Sequence, residues 1–146
     1  DILDSRAMIT LFTRPRRFGK TLNMSMLKRF FERTEEDNSY LFDGMAISEA
    51  GDRYTSHMGQ YPVISISLKS MKQPTFELSL IEFKKIISDE FRRHMDVMKS
   101  DKIFDSDREE FMDICNRRGD YSTYNTALRF LSNRLYEVDN KKVIVR

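Results

Sequence analysis

A chain of 146 residues, 40% hydrophobic and 33% charged, is long enough for one domain or a piece of a larger one, with a core beneath a strongly charged exterior. The formal net charge of +2 carries no global argument for nucleic acid, and a single cysteine, Cys115, excludes an intrachain disulfide and fits a reducing cytoplasm. No apolar run approaches the length of a membrane span, no signal peptide is visible, and His57 and His94 lack the ligand-spaced partners that a zinc site needs.

Asp1-Ile2-Leu3-Asp4 reads as the end of a helix that feeds a first strand. Met8-Ile9-Thr10-Leu11-Phe12-Thr13, short, apolar and β-branched, predicts that strand, and predicts it buried. Thr13-Arg14-Pro15-Arg16-Arg17-Phe18-Gly19-Lys20-Thr21 then ends in the Gly-Lys-Thr signature of a phosphate-binding loop, with Arg14 where that motif normally begins with glycine. Leu22, Met26, Leu27, Phe30 and Phe31 follow at helical spacing. Strand, loop, helix is the context in which such a motif has a mechanism.

The chemistry asks for these residue types in this order. A polyphosphate is gripped by backbone N–H groups converging at a helix N-terminus, where the helix dipole also favours negative charge. Gly19 lets the backbone approach closely and take a φ that a side chain would penalise. Lys20 brings its ammonium back onto the β- and γ-phosphates, and Thr21 offers a hydroxyl to Mg²⁺, an ion that keeps most of its shell as water and phosphate oxygen. Pro15 disfavours the α region for Arg14, so the exit from the strand is stiff and extended. Arg14, Arg16, Arg17 and Lys20 focus positive potential at the loop.

Downstream, Thr34 to Asn38 is a charged break, and Tyr40-Leu41-Phe42-Asp43-Gly44 a turn with two aromatic anchors. Gly51 and Gly59 punctuate a polar loop. Tyr61 to Leu68 reads as a second strand with Ile64, Ile66 and Leu68 on one face. Thr75 is the expected N-cap of a long helix whose stripe runs Phe76, Leu80, Phe83, Ile87, Phe91, Met95 and Met98. Ser106-Asp107-Arg108-Glu109 has the form of a capping box opening a helix with Phe111, Ile114 and Cys115, closed by Gly119-Asp120. Tyr124, Leu128, Leu131 and Leu135 mark one further helix, and Lys142 to Val145 a last strand. Strands alternating with helices imply an α/β fold whose parallel sheet is covered on both faces. The helices between the second and third strands exceed one crossover, so part of them is expected as an insertion stacked on the sheet.

The run Ile9 to Asn23, with its Arg-Pro-Arg-Arg-Phe-Gly-Lys-Thr loop, resembles the AAA-ATPase-like proteins common in gut anaerobes of the Bacteroides and Clostridium type. Leu41 to Gly44, Tyr61 to Ser65 and Lys141 to Val145 match the same family's order of elements, so the resemblance covers nearly the whole chain. It implies a P-loop NTPase-like three-layer fold with a parallel sheet, incomplete in this fragment, plus the helical insertion. It implies that Arg17, Phe18, Gly19, Lys20 and Thr21 bind the phosphates of ATP, that Thr21 also holds Mg²⁺, and that Arg14 and Arg16 are accessory. Val143-Ile144-Val145 matches the apolar run of a Walker B strand, but Arg146 follows where an acidic pair is expected. The second Mg²⁺ anchor and the carboxylate that orients the attacking water are therefore expected beyond this chain.

Residues 1–146 are thus expected to be the N-terminal part of a cytoplasmic, bacterial P-loop ATPase domain that binds Mg-ATP and does not turn it over alone. A nuclease-like domain farther along is implied by the same resemblance. Two other functions are open: a non-hydrolysing nucleotide-dependent switch that acts on a protein partner or a second copy, and a nucleic-acid-binding basic patch with Phe18 as a stacking ring. The last is disfavoured, because phosphate binding already accounts for arginines beside Gly-Lys-Thr.

Overall fold

Helix α1, Lys20–Phe31, forms where the spacing of Leu22, Met26, Leu27, Phe30 and Phe31 predicts it. The computed structural model describes residues 8–11, 13, 15, 17 and 19–146, and the chain divides into two units between Val63 and Ile64.

The first unit is organised by aromatic side chains at the end of α1. Phe30 meets Phe31 and Phe42 edge to face, at ring separations of 4.9 and 5.4 Å, and Phe31 meets Tyr61 at 5.9 Å. Such pairs contribute about 0.5–1.5 kcal/mol beyond their area. Past α1 the backbone turns extended at Glu32, which forms an isolated parallel bridge with Tyr61. The Tyr61 N–H donates to Phe31 O at 2.9 Å, and the Arg33 N–H to Tyr61 O at 2.8 Å. The expected two-anchor turn is a single 3₁₀ turn, Ser39–Phe42, that buries only Phe42, while Tyr40 stays exposed. A short helix α2, Asp52–Thr55, interrupts the expected polar loop.

The strand predicted over residues 8–13 is not formed by its described residues. Met8, Ile9 and Leu11 are 101%, 88% and 83% exposed. An apolar run becomes a strand only when a neighbouring edge takes its N–H and C=O groups, and among the described residues β1 and β2 pair with each other alone. Phe12 lies outside the described residues.

Strand β1, Val63–Ile64, spans the division and pairs with β2, Ile144–Val145. The Arg146 N–H donates to Ile64 O at 2.9 Å and the Ile66 N–H to Arg146 O at 2.8 Å, the one-to-two pattern of parallel strands. The second strand is much shorter than Tyr61 to Leu68. Leu68 is exposed and leads into a 3₁₀ turn, Lys69–Met71.

The rest of the second unit is helical: α3, Phe76–Arg93; α4, Asp105–Cys115; α5, Tyr121–Asp139. Thr75 caps α3, its hydroxyl accepting the Leu78 N–H at 3.3 Å, and Asp120 caps α5 through the Thr123 N–H at 3.1 Å. The predicted stripe on α3 is buried at Ile87 and Phe91 but exposed at Phe76, and Met95 and Met98 fall on a separate 3₁₀ turn, Met95–Lys99. The core joins Ile64, Ile87, Phe91, Phe111, Ile114 and Leu131 with their neighbours. Helices expected in part as an insertion on a sheet are thus the body of this unit, and among the described residues the sheet is a parallel pair. The result is a mixed, helix-rich architecture compatible with an α/β class.

The capping box at Ser106 is also replaced. Helix α4 begins at Asp105 with Phe104 as N-cap and no side-chain cap, so Ser106 lies inside the first turn and does not cap it. Asp107 of that turn pairs with Arg134 of α5. At the other end of α4, polar groups of α3 take the orphan carbonyls. The Ser88 hydroxyl donates to Ile114 O at 2.6 Å, Arg92 to Cys115 O, and Lys84 Nζ to Gly119 O at 3.0 Å. Cys115 is buried, which pushes its thiol pKa up and keeps it an inert core residue.

Glu90 is the buried carboxylate of this unit. Burial pushes its pKa up, but hydrogen bonds from His94, Arg93 and the Ser65 N–H outweigh that and hold it at about 2, against an ordinary 4.5. A pKa lowered by folding supplies stability that is fully present above pH 4.5 and is lost as pH falls through about 2. Asp120, held at about 2 chiefly by the Ser122 hydroxyl and the Thr123 N–H, loses its contribution as pH falls from 3.8 through about 2. Glu90→Gln is expected to cost about 1–3 kcal/mol at neutral pH. Melting temperature against pH checks it: the gap between wild type and variant should close from pH 4.5 down to 2. A gap that stays constant with pH would mean that the carboxylate charge is not what stabilises.

Candidate functional site at the start of α1

The start of α1 is built from backbone. Gly19 is the N-cap, at φ 69 and ψ 17, in the left-handed region that L side chains rarely adopt. A Cβ at Gly19 would meet nothing within 4 Å, so the requirement for glycine here is conformational rather than steric. Arg17 also sits at φ 69 without a glycine's freedom. A non-glycine residue held there is strained by about 1–2 kcal/mol.

Helix geometry leaves the amides of Gly19, Lys20 and Leu22 without an acceptor inside the helix, since the first such bond runs from the Asn23 N–H to Gly19 O at 2.9 Å. Gly19 offers no side-chain cap, and the first turn holds no acidic residue. The positive end of the dipole therefore meets the charges of Arg17 and Lys20 with no carboxylate in that turn to offset them. At the opposite end, Lys28 and Arg29 complement the negative pole, Lys28 pairing with Glu32 at 3.5 Å.

Of the residues singled out in the sequence, Arg17, Gly19, Lys20 and Thr21 lie together and exposed at this helix start. Arg14, Arg16 and Phe18 lie outside the described residues. Such a terminus can bind an anion, and the Thr21 hydroxyl suits a hard cation that carries most of its own ligands. Among the described residues no group of three or more His, Cys, Asp or Glu side chains could hold a metal. His57 shares a hydrogen bond with the Tyr61 hydroxyl, and His94 is buried against Glu90.

One concave feature was not singled out in the sequence. A cleft of about 240 Å³ opens beside the C-terminal end of α1, floored by Phe30 and Phe42 and rimmed by Glu35, Glu36 and Asp37. The only sequence signal was the charged break at Thr34 to Asn38. No helix among the described residues is long and apolar enough to cross a membrane.

Neither the curated proteins nor the solved structures include a match to this chain. A family model does match, over residues 1–145, and its description is "Predicted AAA-ATPase". The chain with Gly-Lys-Thr at the start of α1 therefore belongs to the AAA-ATPase-like family.

Proposed function

We propose that residues 1–146 form the N-terminal part of a P-loop ATPase domain, with a P-loop NTPase-like fold, that binds ATP with Mg²⁺ through Arg17, Phe18, Gly19, Lys20 and Thr21. The observation that carries the reading is the exposed start of α1: a left-handed Gly19, then Lys20, with no acidic side chain in the first turn. Family membership supports nucleotide use at the coarse level.

The division of labour follows from the chemistry. Gly19 directs helix amides at phosphate oxygens. Lys20 neutralises charge on the β- and γ-phosphates, and Arg17 adds a guanidinium suited to bidentate phosphate contact. Thr21 would supply the protein hydroxyl that holds Mg²⁺, an ion that would offset phosphate charge there. Arg14 and Arg16 are accessory cations on the same loop. Hydrolysis is assigned to no residue of this chain, since Arg146 stands where the water-orienting carboxylate would be sought.

The test is titration of the protein with a fluorescent ATP analogue at fixed Mg²⁺. Saturable binding, competed by unlabelled ATP and weakened by chelation of Mg²⁺, is expected. Signal that single-stranded DNA displaces and ATP does not would instead assign the basic loop to nucleic acid.

A further inference from the structure

We propose that Glu90 closes the edge of β1 that faces away from β2, standing in for a strand and shutting that edge to strand addition. The Ile64 carbonyl and the Ile66 N–H are both committed to Arg146. Backbone groups alternate along a strand, so the Ser65 N–H between them points to the opposite edge. An outward N–H at an edge is ordinarily a template for another chain. Here it donates to Glu90 Oε1 at 2.7 Å.

The blocking group is built to stay. Glu90 is 7% exposed and comes from α3, which contributes Ile87 and Phe91 to the core of its unit. Arg93 and His94 lie three and four residues on, on the same helix face. Arg93 Nε donates to Glu90 Oε2 at 3.0 Å, and His94 Nε2 lies 3.2 Å from Oε1. The Ser65 hydroxyl accepts from Arg146 Nε at 3.0 Å, so the residue is held through its side chain as well as its amide. An ionised carboxylate is acceptor only: it satisfies the edge N–H and offers no donor to an incoming strand's carbonyl. An arriving strand would have to expel a buried charge from its partners for one ladder bond. The inference does not depend on the nucleotide reading.

Amide hydrogen exchange at Ser65 in the full chain, with sedimentation velocity alongside, tests this. In the wild type the Ser65 amide should exchange at least about tenfold slower than its free-peptide rate; an unprotected rate overturns the proposal without any variant. In Glu90→Leu, protection at Ser65 should fall by about tenfold beyond any change at Phe91, and self-association should rise with concentration relative to wild type. Glu90→Gln keeps an accepting oxygen, so protection at Ser65 relative to Phe91 should stay near wild type, whatever stability the variant loses as a whole. A folded Glu90→Leu protein with unchanged Ser65 exchange or unchanged association overturns the edge role. If Glu90→Leu does not fold, the wild-type Ser65 rate decides alone, and an amide no better protected than its free-peptide rate overturns the proposal.

Discussion

Lys20→Ala is expected to weaken binding of a fluorescent ATP analogue by about one to two orders of magnitude while leaving the fold intact. The size follows from the interaction removed. A charge-assisted hydrogen bond contributes about 1.5–3 kcal/mol, and each 1.4 kcal/mol or so is tenfold in affinity. The fold should be spared because Lys20 is exposed at the first position of α1, and exposed substitutions of this kind usually stay within about 0.5 kcal/mol. Lys20→Arg should retain part of the affinity, since charge remains but the compact ammonium geometry does not. Thermal melting and analogue titration on the same samples separate the effects. Unchanged affinity in a folded Lys20→Ala protein would remove the phosphate role from this loop. A loss no greater than that of Arg16→Ala, with steep salt dependence in both, would favour the basic-patch alternative.

Phe91→Ala should destabilise the second unit by about 3–5 kcal/mol, a large share of the 5–15 kcal/mol or so typical of a domain. Phe91 is fully buried at the meeting of α3, α4 and α5. Its ring lies 4.9 Å from Phe111 and is stacked at 6.2 Å on Phe130, so truncation removes contacts to two other helices at once. Neighbours anchored by the Ser88 and Arg92 bonds to the end of α4 cannot collapse freely into the space. Phe91→Leu, which refills most of the volume, should cost roughly 1–2 kcal/mol. Urea denaturation followed by far-ultraviolet circular dichroism measures both. A loss below about 1 kcal/mol for the alanine variant would mean that the three helices do not share one core.

Helices were legible because their signals are local. The apolar spacing on α1, α3 and α5, and the cap Thr75, each require only residues within a few positions of one another. The capping box at Ser106 failed because the helix starts one residue earlier, at Asp105, which puts Ser106 inside the first turn. Strands were read too freely for another reason: a β-branched run states a preference, while a ladder needs a partner edge, and Met8 to Leu11 have the composition of a strand without a ladder among the described residues.

At the candidate site, the sequence by itself determined the chemistry: which residues carry charge, where glycine must stand, and that a helix begins there. It could do so because a glycine at a helix start and a lysine just inside it are neighbours in the chain. Only the tertiary structure decided what each unit is built around. Phe42 reaches Phe30 across the charged break, and Glu90 meets the Ser65 amide 25 residues away. The helices read as an addition to a sheet became a core because their apolar faces found one another. Burial and edge pairing are properties of partners, and a partner distant in sequence leaves no periodic mark on either segment.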